Sequence, residues 1–262
     1  MKISQYRNLI IDMDGVLWRG NTALPGLKEF VATIRKTKCR MVLATNNSSS
    51  TVDQYLNKLK LMGVNVAPEE ILTSAQATGA YLQKMAPKGS RVFVIGGDGI
   101  KNAIIDHKFM ITEDDPEYVV IGIDKKITWG KLNTAVMNIR AGAKFIGTNP
   151  DSTYPTEDGI GVGNGAILAA VEVATGISPL VIGKPETPIY EQALHRLGSN
   201  SSDTLMIGDR LDTDILGAQR ANIHTMLVLT GVTTRELLET SVVQPDLVVT
   251  GLPDIISGLL TN

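Results

Sequence analysis

Cysteine and histidine are both scarce in this chain of 262 residues. Cys39 is the single cysteine, so an intramolecular disulfide is excluded and a reducing compartment is indicated. The three histidines, His107, His195 and His224, lie far apart in the sequence. None of them has metal-ligand spacing from another histidine or from the cysteine, so we interpret them as surface or packing residues.

A long hydrophobic run and an excess of charge are also missing. No apolar stretch approaches the length of a membrane span, and the opening residues MKISQYRNLI lack the layout of a signal peptide. The formal net charge of −2 favours neither nucleic acid nor an anionic membrane. With 43% hydrophobic and 20% charged residues the composition is globular. We therefore expect a soluble cytoplasmic protein with one large domain or two modest ones.

What the chain does contain is a regular alternation of short apolar runs and amphipathic stretches. This alternation predicts an α/β fold with a mainly parallel sheet covered by helices on both faces. The predicted strands are residues 8–12, 40–45, 70–74, 91–96, 118–123, 144–148, 180–184, 204–209, 225–230 and 246–250. Pro25 is expected to open the first helix, and Thr187 to start a later helix that Gly198 ends.

Four of the predicted strands end in polar residues. These residues are Asp12, the run Thr45-Asn46-Asn47, Lys184 and Asp209. The carboxyl ends of parallel strands line one crevice, which is where ligands bind in such sheets. A single aspartate after a strand is an ordinary turn residue, but four strand ends with complementary chemistry indicate a site.

Phosphoryl transfer is the chemistry that fits these strand ends. Asp12 and Asp209, with Asp214 behind them, would hold Mg²⁺, a cation that prefers oxygen ligands. At roughly 4 Å and an effective dielectric near 20, two unit charges interact by ~4 kcal/mol, so carboxylates alone would repel a phosphate. The metal and Lys184 supply the compensating charge. Thr45 and neighbouring amides add hydrogen-bond donors for phosphate oxygens.

The two aspartates of the stretch LIIDMDGVLW (residues 9–18) then have separate tasks. Asp12 is expected to be the nucleophile that forms an aspartyl-phosphate. Asp14 is expected to protonate the leaving oxygen and afterwards to deprotonate the hydrolytic water. Gly15 would allow the tight turn that aims Asp14 back at the site.

Four stretches resemble the motifs of the haloacid dehalogenase (HAD) superfamily of phosphatases. They are DMDGVLW, TNNSSST, GKPETPIY and GDRLDTDILGA, beginning at Asp12, Thr45, Gly183 and Gly208. Their order and spacing are similar to those of the NagD-like, or 4-nitrophenylphosphatase-like, subfamily. The resemblance implies a Rossmannoid core, Mg²⁺ dependence and hydrolysis of small phosphorylated metabolites.

The resemblance also assigns residues. It implies that Mg²⁺ is bound by Asp12, the backbone carbonyl of Asp14 and Asp209, with support from Asp214. The positions that would contact phosphate or substrate are Asp14, Thr45, Asn46, Asn47, Lys184, Arg210, Leu211, Asp212 and Thr213.

The long interval between Asn47 and Lys184 predicts a second domain. Residues 1–78 and 180–262 would form the two parts of the core, and residues 79–179 resemble the inserted α/β cap (C2 type) of the subfamily, which chooses the leaving group. The stretch GTNPD (147–151) makes Asn149 and Asp151 the candidates for this selection, with simple turn residues as the alternative. A homodimer formed through the cap is expected by analogy only.

Other interpretations remain open at this point. A phosphomutase, or a phospho-ligand sensor without enzymatic activity, could use the same fold. The pattern G-x-G-x-x-A at Gly161, Gly163 and Ala166 is not interpreted as a dinucleotide site, because no strand is predicted before it. Trp18 and Trp129 are expected to be packing residues, although Trp18 lies close enough to the aspartates to touch substrate. The sequence does not identify the substrate among nucleoside monophosphates, sugar phosphates, phosphoglycolate and pyridoxal phosphate.

Overall fold

A computed structural model describes residues 2–156 and 159–261. The strands are β1 (Asn8–Ile11), β2 (Trp18–Arg19), β3 (Thr22–Ala23), β4 (Arg40–Thr45), β5 (Ile71–Thr73), β6 (Arg91–Ile95), β7 (Met110–Ile111), β8 (Tyr118–Ile121), β9 (Lys144–Gly147), β10 (Thr153–Thr156), β11 (Gly159–Val162), β12 (Leu180–Val181), β13 (Thr204–Gly208), β14 (His224–Val228) and β15 (Leu247–Val249). The α-helices are α1 (Leu27–Lys36), α2 (Val52–Leu61), α3 (Ser74–Met85), α4 (Asp98–Asp106), α5 (Trp129–Arg140), α6 (Asn164–Thr175), α7 (Thr187–Leu197), α8 (Leu216–Arg220), α9 (Arg235–Thr240) and α10 (Leu252–Leu260).

Each of the ten predicted strands is present, with ends that differ by up to three residues. Helix α7 begins at Thr187 and ends before Gly198, which adopts φ +56° as a left-handed cap. Helix α1 begins at Leu27, two residues later than expected, because Gly26 has φ +87° and cannot belong to a right-handed helix. The short hairpin β2–β3 forms the flap between Asp14 and α1.

The chain divides into two compact units. The first unit comprises Met1–Thr45, Asp53–Leu72 and Lys184–Asn262. Its sheet has the strand order β15-β14-β13-β1-β4-β5, and β1 pairs in parallel with β13 on one side and β4 on the other. Strand β1 is therefore central. Asp12 and Asp209, which follow β1 and β13, and Thr45, the last residue of β4, lie at the same edge of the sheet.

The central strands of the first unit are buried on both faces. Every residue of β1 and of β13 is buried, which is the pattern of parallel strands covered by helices on both sides. Helix α1 turns Leu27, Phe30 and Ile34 toward the core at helical spacing. Fully burying a side chain of this size contributes roughly 1.5–3 kcal/mol, so these three residues stabilise the packing of α1 in the first unit.

The second unit comprises Asn46–Val52 and Thr73–Gly183. It contains a parallel sheet in the order β12-β9-β8-β6-β7, whose core includes Phe93, Val119 and Leu168. Within this unit α3 is joined to the segment Asn46–Val52 by the hydrogen bond from Ser74 Oγ to the carbonyl of Asn46 (2.6 Å).

An antiparallel hairpin precedes the glycine-rich start of α6. Strand β11 pairs with β10, so the expectation that no strand comes before Gly163 was wrong. The pairing is antiparallel, so this segment is a hairpin followed by a helix and lacks the βαβ context of a dinucleotide fingerprint. Among residues 2–156 and 159–261, no helix has the length and apolar character needed to cross a membrane.

Candidate active site

Lys184 lies at the centre of a buried group of charges in the first unit. Its Nζ donates to Asp12 Oδ1 at 2.5 Å, to Asp214 Oδ1 at 2.7 Å and to the carbonyl of Ala44 at 3.2 Å. An ammonium group has three donors and no acceptor, so these oxygens are suitable partners for it. Lys184 and Asp12 are only 2% and 6% exposed, so their attraction is little weakened by solvent.

Asp209 is fixed from two sides at the end of β13. Its Oδ2 accepts a hydrogen bond from the backbone N–H of Val232 at 2.6 Å. A Cβ added at Gly231 would lie 1.8 Å from that oxygen, and one added at Gly15 would lie 2.5 Å from it. Glycine at both positions therefore lets two loops approach this carboxylate closely.

Asp214 connects the lysine to the loop after β13. Residues Leu211–Ile215 form a single π-helical turn, which brings Asp214 back so that its Oδ2 accepts from the backbone N–H groups of Asp209 and Arg210, both at 3.2 Å. Tyr190 donates its hydroxyl to the carbonyl of Asp214 at 2.9 Å. Both oxygens of this carboxylate thus have partners within the protein.

The three carboxylates form a cluster that suits a cation. Oxygen atoms of Asp12, Asp209 and Asp214 lie within 4.8 Å of one another, and all three residues are buried. Burial, together with the neighbouring carboxylates, raises the pKa of Asp12 well above its usual range, against the opposing effect of Lys184. Burial and Asp214 raise the pKa of Asp209 to about 7.

Lys184 shows the opposite balance. Burial alone would lower the pKa of its ammonium group, but Asp12 and Asp214 raise it well above the ordinary value. One fixed positive charge therefore contacts two carboxylates, Asp12 and Asp214, of the group of three. The remaining negative charge and the all-oxygen donor set fit a divalent metal ion.

Asp14 differs from Asp12 in being exposed. Its Oδ1 accepts a hydrogen bond from the indole Nε1 of Trp18 at 2.7 Å. Gly15, which directly follows Asp14, has φ +87°, a conformation that favours glycine. The two carboxylates of the DMD stretch therefore lie in different environments. Asp12 is buried and hydrogen-bonded to Lys184, whereas Asp14 is exposed and hydrogen-bonded to the indole of Trp18.

The remaining expected residues fall into two groups. Thr45 ends β4 in the first unit and is 4% exposed, whereas Asn46 and Asn47 belong to the second unit. In the second unit Asn46 Nδ2 lies 3.1 Å from both carboxylate oxygens of Asp151. Asn149 is buried and donates to the carbonyl of Asn46 at 2.8 Å. Asn46, Asn149 and Asp151 thus form one hydrogen-bonded group.

The loop from Arg210 to Thr213 begins with an ion pair. Arg210 donates to both oxygens of Asp212, at 3.1 and 2.8 Å. Partial burial would raise the pKa of Asp212, but this pairing lowers it overall. Leu211 is half-buried and Thr213 is buried.

Sequence reasoning did not find the contacts made by Val232, Gly231 and Tyr190. Each of these residues approaches an aspartate that lies more than ten positions away in the sequence, so no local pattern indicates the contact.

Comparison with known proteins places these residues in a family context. A family model described as haloacid dehalogenase-like hydrolase matches residues 9–110, and a second, HAD-hydrolase-like model matches residues 181–255. An acid sugar phosphatase from Staphylococcus saprophyticus is 38% identical over 258 residues, which cover 98% of this chain and 99% of that protein.

Two solved structures are similar over nearly the whole chain. The crystal structure of a 4-nitrophenylphosphatase from Thermotoga maritima has a TM-score of 0.94 and 34% identity, with 98% of each chain covered. A glycerol phosphate phosphatase from Mycobacterium tuberculosis, in complex with magnesium, has a TM-score of 0.91 and 32% identity. The alignment to the latter covers 97% of this chain and 78% of that protein.

Proposed function

Because the chain belongs to the NagD-like haloacid dehalogenase-like hydrolases and is a phosphatase of small phosphorylated molecules, we propose that Asp12 is its nucleophile. The supporting observation is the position of this carboxylate. It follows the central strand β1, and its Oδ1 accepts a hydrogen bond from Lys184 Nζ at 2.5 Å. It also belongs to the carboxylate cluster with Asp209 and Asp214.

The metal of this phosphatase is a divalent cation, and we propose that it is Mg²⁺. Asp12, Asp209 and the backbone carbonyl of Asp14 would hold it. Asp214 would act as support, because its oxygens accept from Lys184 and from two backbone N–H groups. When bound, the ion supplies the positive charge that allows a carboxylate and a phosphate to approach each other. The magnesium complex of the mycobacterial relative supports this choice.

The side chains of the first unit divide the reaction between them. Asp12 forms a bond to phosphorus while the bond from phosphorus to the ester oxygen breaks, and Asp14 gives that oxygen a proton. In the second step Asp14 takes a proton from water, the water oxygen attacks phosphorus, and Asp12 leaves as a carboxylate. Lys184 and Thr45 bind the phosphate oxygens throughout.

The preferred substrates are proposed to be phosphorylated sugars and polyols. The support is that one relative is named an acid sugar phosphatase and another a glycerol phosphate phosphatase. The second unit is proposed to be the cap, with Asp151 as a determinant of the accepted leaving group. Arg210–Thr213 and Asn46 are proposed to contact substrate. From the sequence we also propose that the protein forms a homodimer through the cap and that it acts in the cytoplasm.

Substitution of the nucleophile tests this function. Asp12→Asn is expected to abolish release of nitrophenol from 4-nitrophenyl phosphate, because an amide is a poor nucleophile. Asp203→Asn, which changes an exposed carboxylate of the same unit, is the matched control and should keep full activity. Turnover by Asp12→Asn at the wild-type rate would contradict the proposed mechanism.

The product distinguishes the two alternatives. A phosphatase releases inorganic phosphate in step with nitrophenol. A phosphomutase would instead accumulate a second phosphorylated compound without free phosphate, and a sensor would release neither product catalytically.

A further inference from the structure

Trp18 is fully buried although it stands in a short surface hairpin next to an exposed aspartate. An indole N–H is a donor only, and a buried one needs an acceptor. Here the acceptor is Asp14 Oδ1 at 2.7 Å. A hydrogen bond to an ionised carboxylate is stronger than one between neutral groups.

Helix α2 holds the indole ring in place. The ring of Tyr55 is stacked near that of Trp18, with centroids 6.4 Å apart and an interplanar angle of 24°. The ammonium group of Lys58 lies 4.3 Å from the centroid of the indole ring, which is within cation–π range. Tyr55 and Lys58 are three residues apart and share one helical face, so a single helix fixes the ring.

The backbone of Trp18 is fixed as well. Its carbonyl accepts from the N–H of Gly15 at 2.8 Å, which closes the turn after Asp14. The next residue, Arg19, donates to the carbonyl of Thr230 at 2.7 Å, and the hydroxyl of Thr230 donates to the carbonyl of Gly15 at 2.7 Å. The backbone that carries the indole is therefore itself hydrogen-bonded to the turn after Asp14.

We propose that Trp18 is a positioning residue for the phosphatase reaction, which holds the Asp14 carboxylate through its indole N–H. The proposal rests on the role proposed above for Asp14 as acid and base. With Oδ1 held by the indole, Oδ2 is the oxygen that we assign to proton exchange with the leaving group and with water. A carboxylate held in this way stays in one side-chain conformation during both steps. Loss of this alignment between the carboxylate and the reacting atoms lowers the rate of the chemical step.

Pre-steady-state kinetics with 4-nitrophenyl phosphate test this role. Trp18→Phe keeps an aromatic ring against Tyr55 and Lys58 but removes the donor. The first step with this substrate needs little acid assistance because nitrophenolate is a stable leaving group, so the burst should keep its rate and amplitude. The steady-state rate, which needs Asp14 as base, should fall about tenfold, a part of the roughly 10²–10⁴-fold that acid–base catalysis contributes. KM should change by less than about twofold.

Two controls separate positioning from folding. Trp129→Phe, at an indole that is 78% exposed in the second unit, should leave burst and steady state unchanged. If Trp18→Phe fails to fold, 3-benzothienylalanine at residue 18 keeps the bicyclic shape and places sulfur where the N–H stood. It should show the same selective loss. A normal steady-state rate in the folded variant, or equal slowing of burst and steady state, would overturn the proposal.

The hydrogen bond itself has a readout independent of activity. The chain has two tryptophans, so its nitrogen–proton correlation spectrum contains two indole signals, and Trp129→Phe assigns them. Asp14→Ala should move the Trp18 signal upfield and leave the Trp129 signal in place. An unmoved Trp18 signal would contradict the contact.

The proposed function is tested separately by Asp14→Asn. If this variant turns over normally, the acid–base role of Asp14 is wrong. If it stalls after the burst while the Trp18 variants behave as wild type, only the positioning proposal fails.

Discussion

Removing the buried lysine should destabilise the metal-free protein strongly. In Lys184→Met the contacts from Nζ to Asp12 at 2.5 Å and to Asp214 at 2.7 Å are lost. With an effective dielectric of 20, Coulomb's law gives about 6 kcal/mol for each contact. Part of this is recovered because burying the ammonium group was itself costly and because a carboxylate can take up a proton. Truncation of one partner of a buried pair typically costs about 3–5 kcal/mol, and we expect a loss in that range.

Tryptophan fluorescence can measure this loss of stability in the unit that contains Lys184. In a Trp129→Phe background the remaining Trp18 lies in the first unit, which also contains Lys184. Urea unfolding in EDTA then gives the free energy of unfolding of that unit. The matched control is Arg220→Met, because Arg220 pairs with Glu186 at 2.9 Å and both side chains are about 45% exposed. Such a surface pair contributes about 0–1 kcal/mol.

The pH dependence has a definite sign. The folded pKa of Asp209 is raised to about 7, so this group binds a proton more tightly in the folded state, and metal-free stability falls as pH rises from about 4 toward 7. Without Lys184 the carboxylates resist ionisation further. The loss in Lys184→Met should therefore be small near about pH 5 and largest near about pH 8. A loss below about 1 kcal/mol at both pH values would refute the reasoning.

Three further outcomes follow from the same geometry. Mg²⁺ should raise the melting temperature more at about pH 8 than at about pH 5.5, because protons compete for Asp209 at the lower pH; calorimetry with and without EDTA checks this, and an equal rise would contradict it. Gly231→Ala should lower metal affinity and activity together, since a Cβ there would lie 1.8 Å from Asp209 Oδ2. The control Gly130→Ala, in open surroundings on α5, should be tolerated, and isothermal titration with Mg²⁺ compares the metal affinity of the two variants. Asp151→Ala should change the order of preference among sugar and polyol phosphates more than it changes cleavage of 4-nitrophenyl phosphate, and an equal loss on all substrates would assign Asp151 to folding.

The sequence predicted the part of the site that follows strand order. Asp12 and Asp209 each follow a fully buried strand of one parallel sheet, and the rule that parallel strands share a carboxyl edge was enough to bring them together. Lys184 follows β12, a short and partly exposed strand in the sheet of the second unit, so this rule does not account for its contact with Asp12. The ten predicted strands are all present because apolar runs between helices leave few alternatives. The described residues contain five further strands that were not predicted: β2, β3, β7, β10 and β11. The ends of the strands were predicted less accurately. Backbone hydrogen bonding between strands stops where the backbone geometry changes, and the apolar character of the residues does not indicate that point.

Contacts that depend on close approach of distant loops could not be predicted. The indole bond to Asp14 depends on a hairpin whose two strands have only two residues each, too short for a periodic pattern. The pairing of Asn46 with Asp151 joins residues 105 positions apart. Asn46 was expected to bind phosphate and Asp151 to read the leaving group, so the structure links two assignments that the sequence treated as independent.

The ammonium group of Lys184 donates to Asp12, to Asp214 and to the carbonyl of Ala44, and these contacts bear on how the site binds a phosphate. Because an ammonium group has three donors, a phosphate oxygen that binds it would compete with these acceptors. Asp214 is buried behind the lysine and also accepts two backbone N–H groups, and the carbonyl of Ala44 is part of β4. Asp12, which follows the end of β1 and is the least buried of the three aspartates in the cluster, is therefore the acceptor that can be exchanged. Arrival of substrate would then release the nucleophile from its lysine at the moment when phosphorus is within reach. In the absence of substrate the same lysine holds that carboxylate in a hydrogen bond.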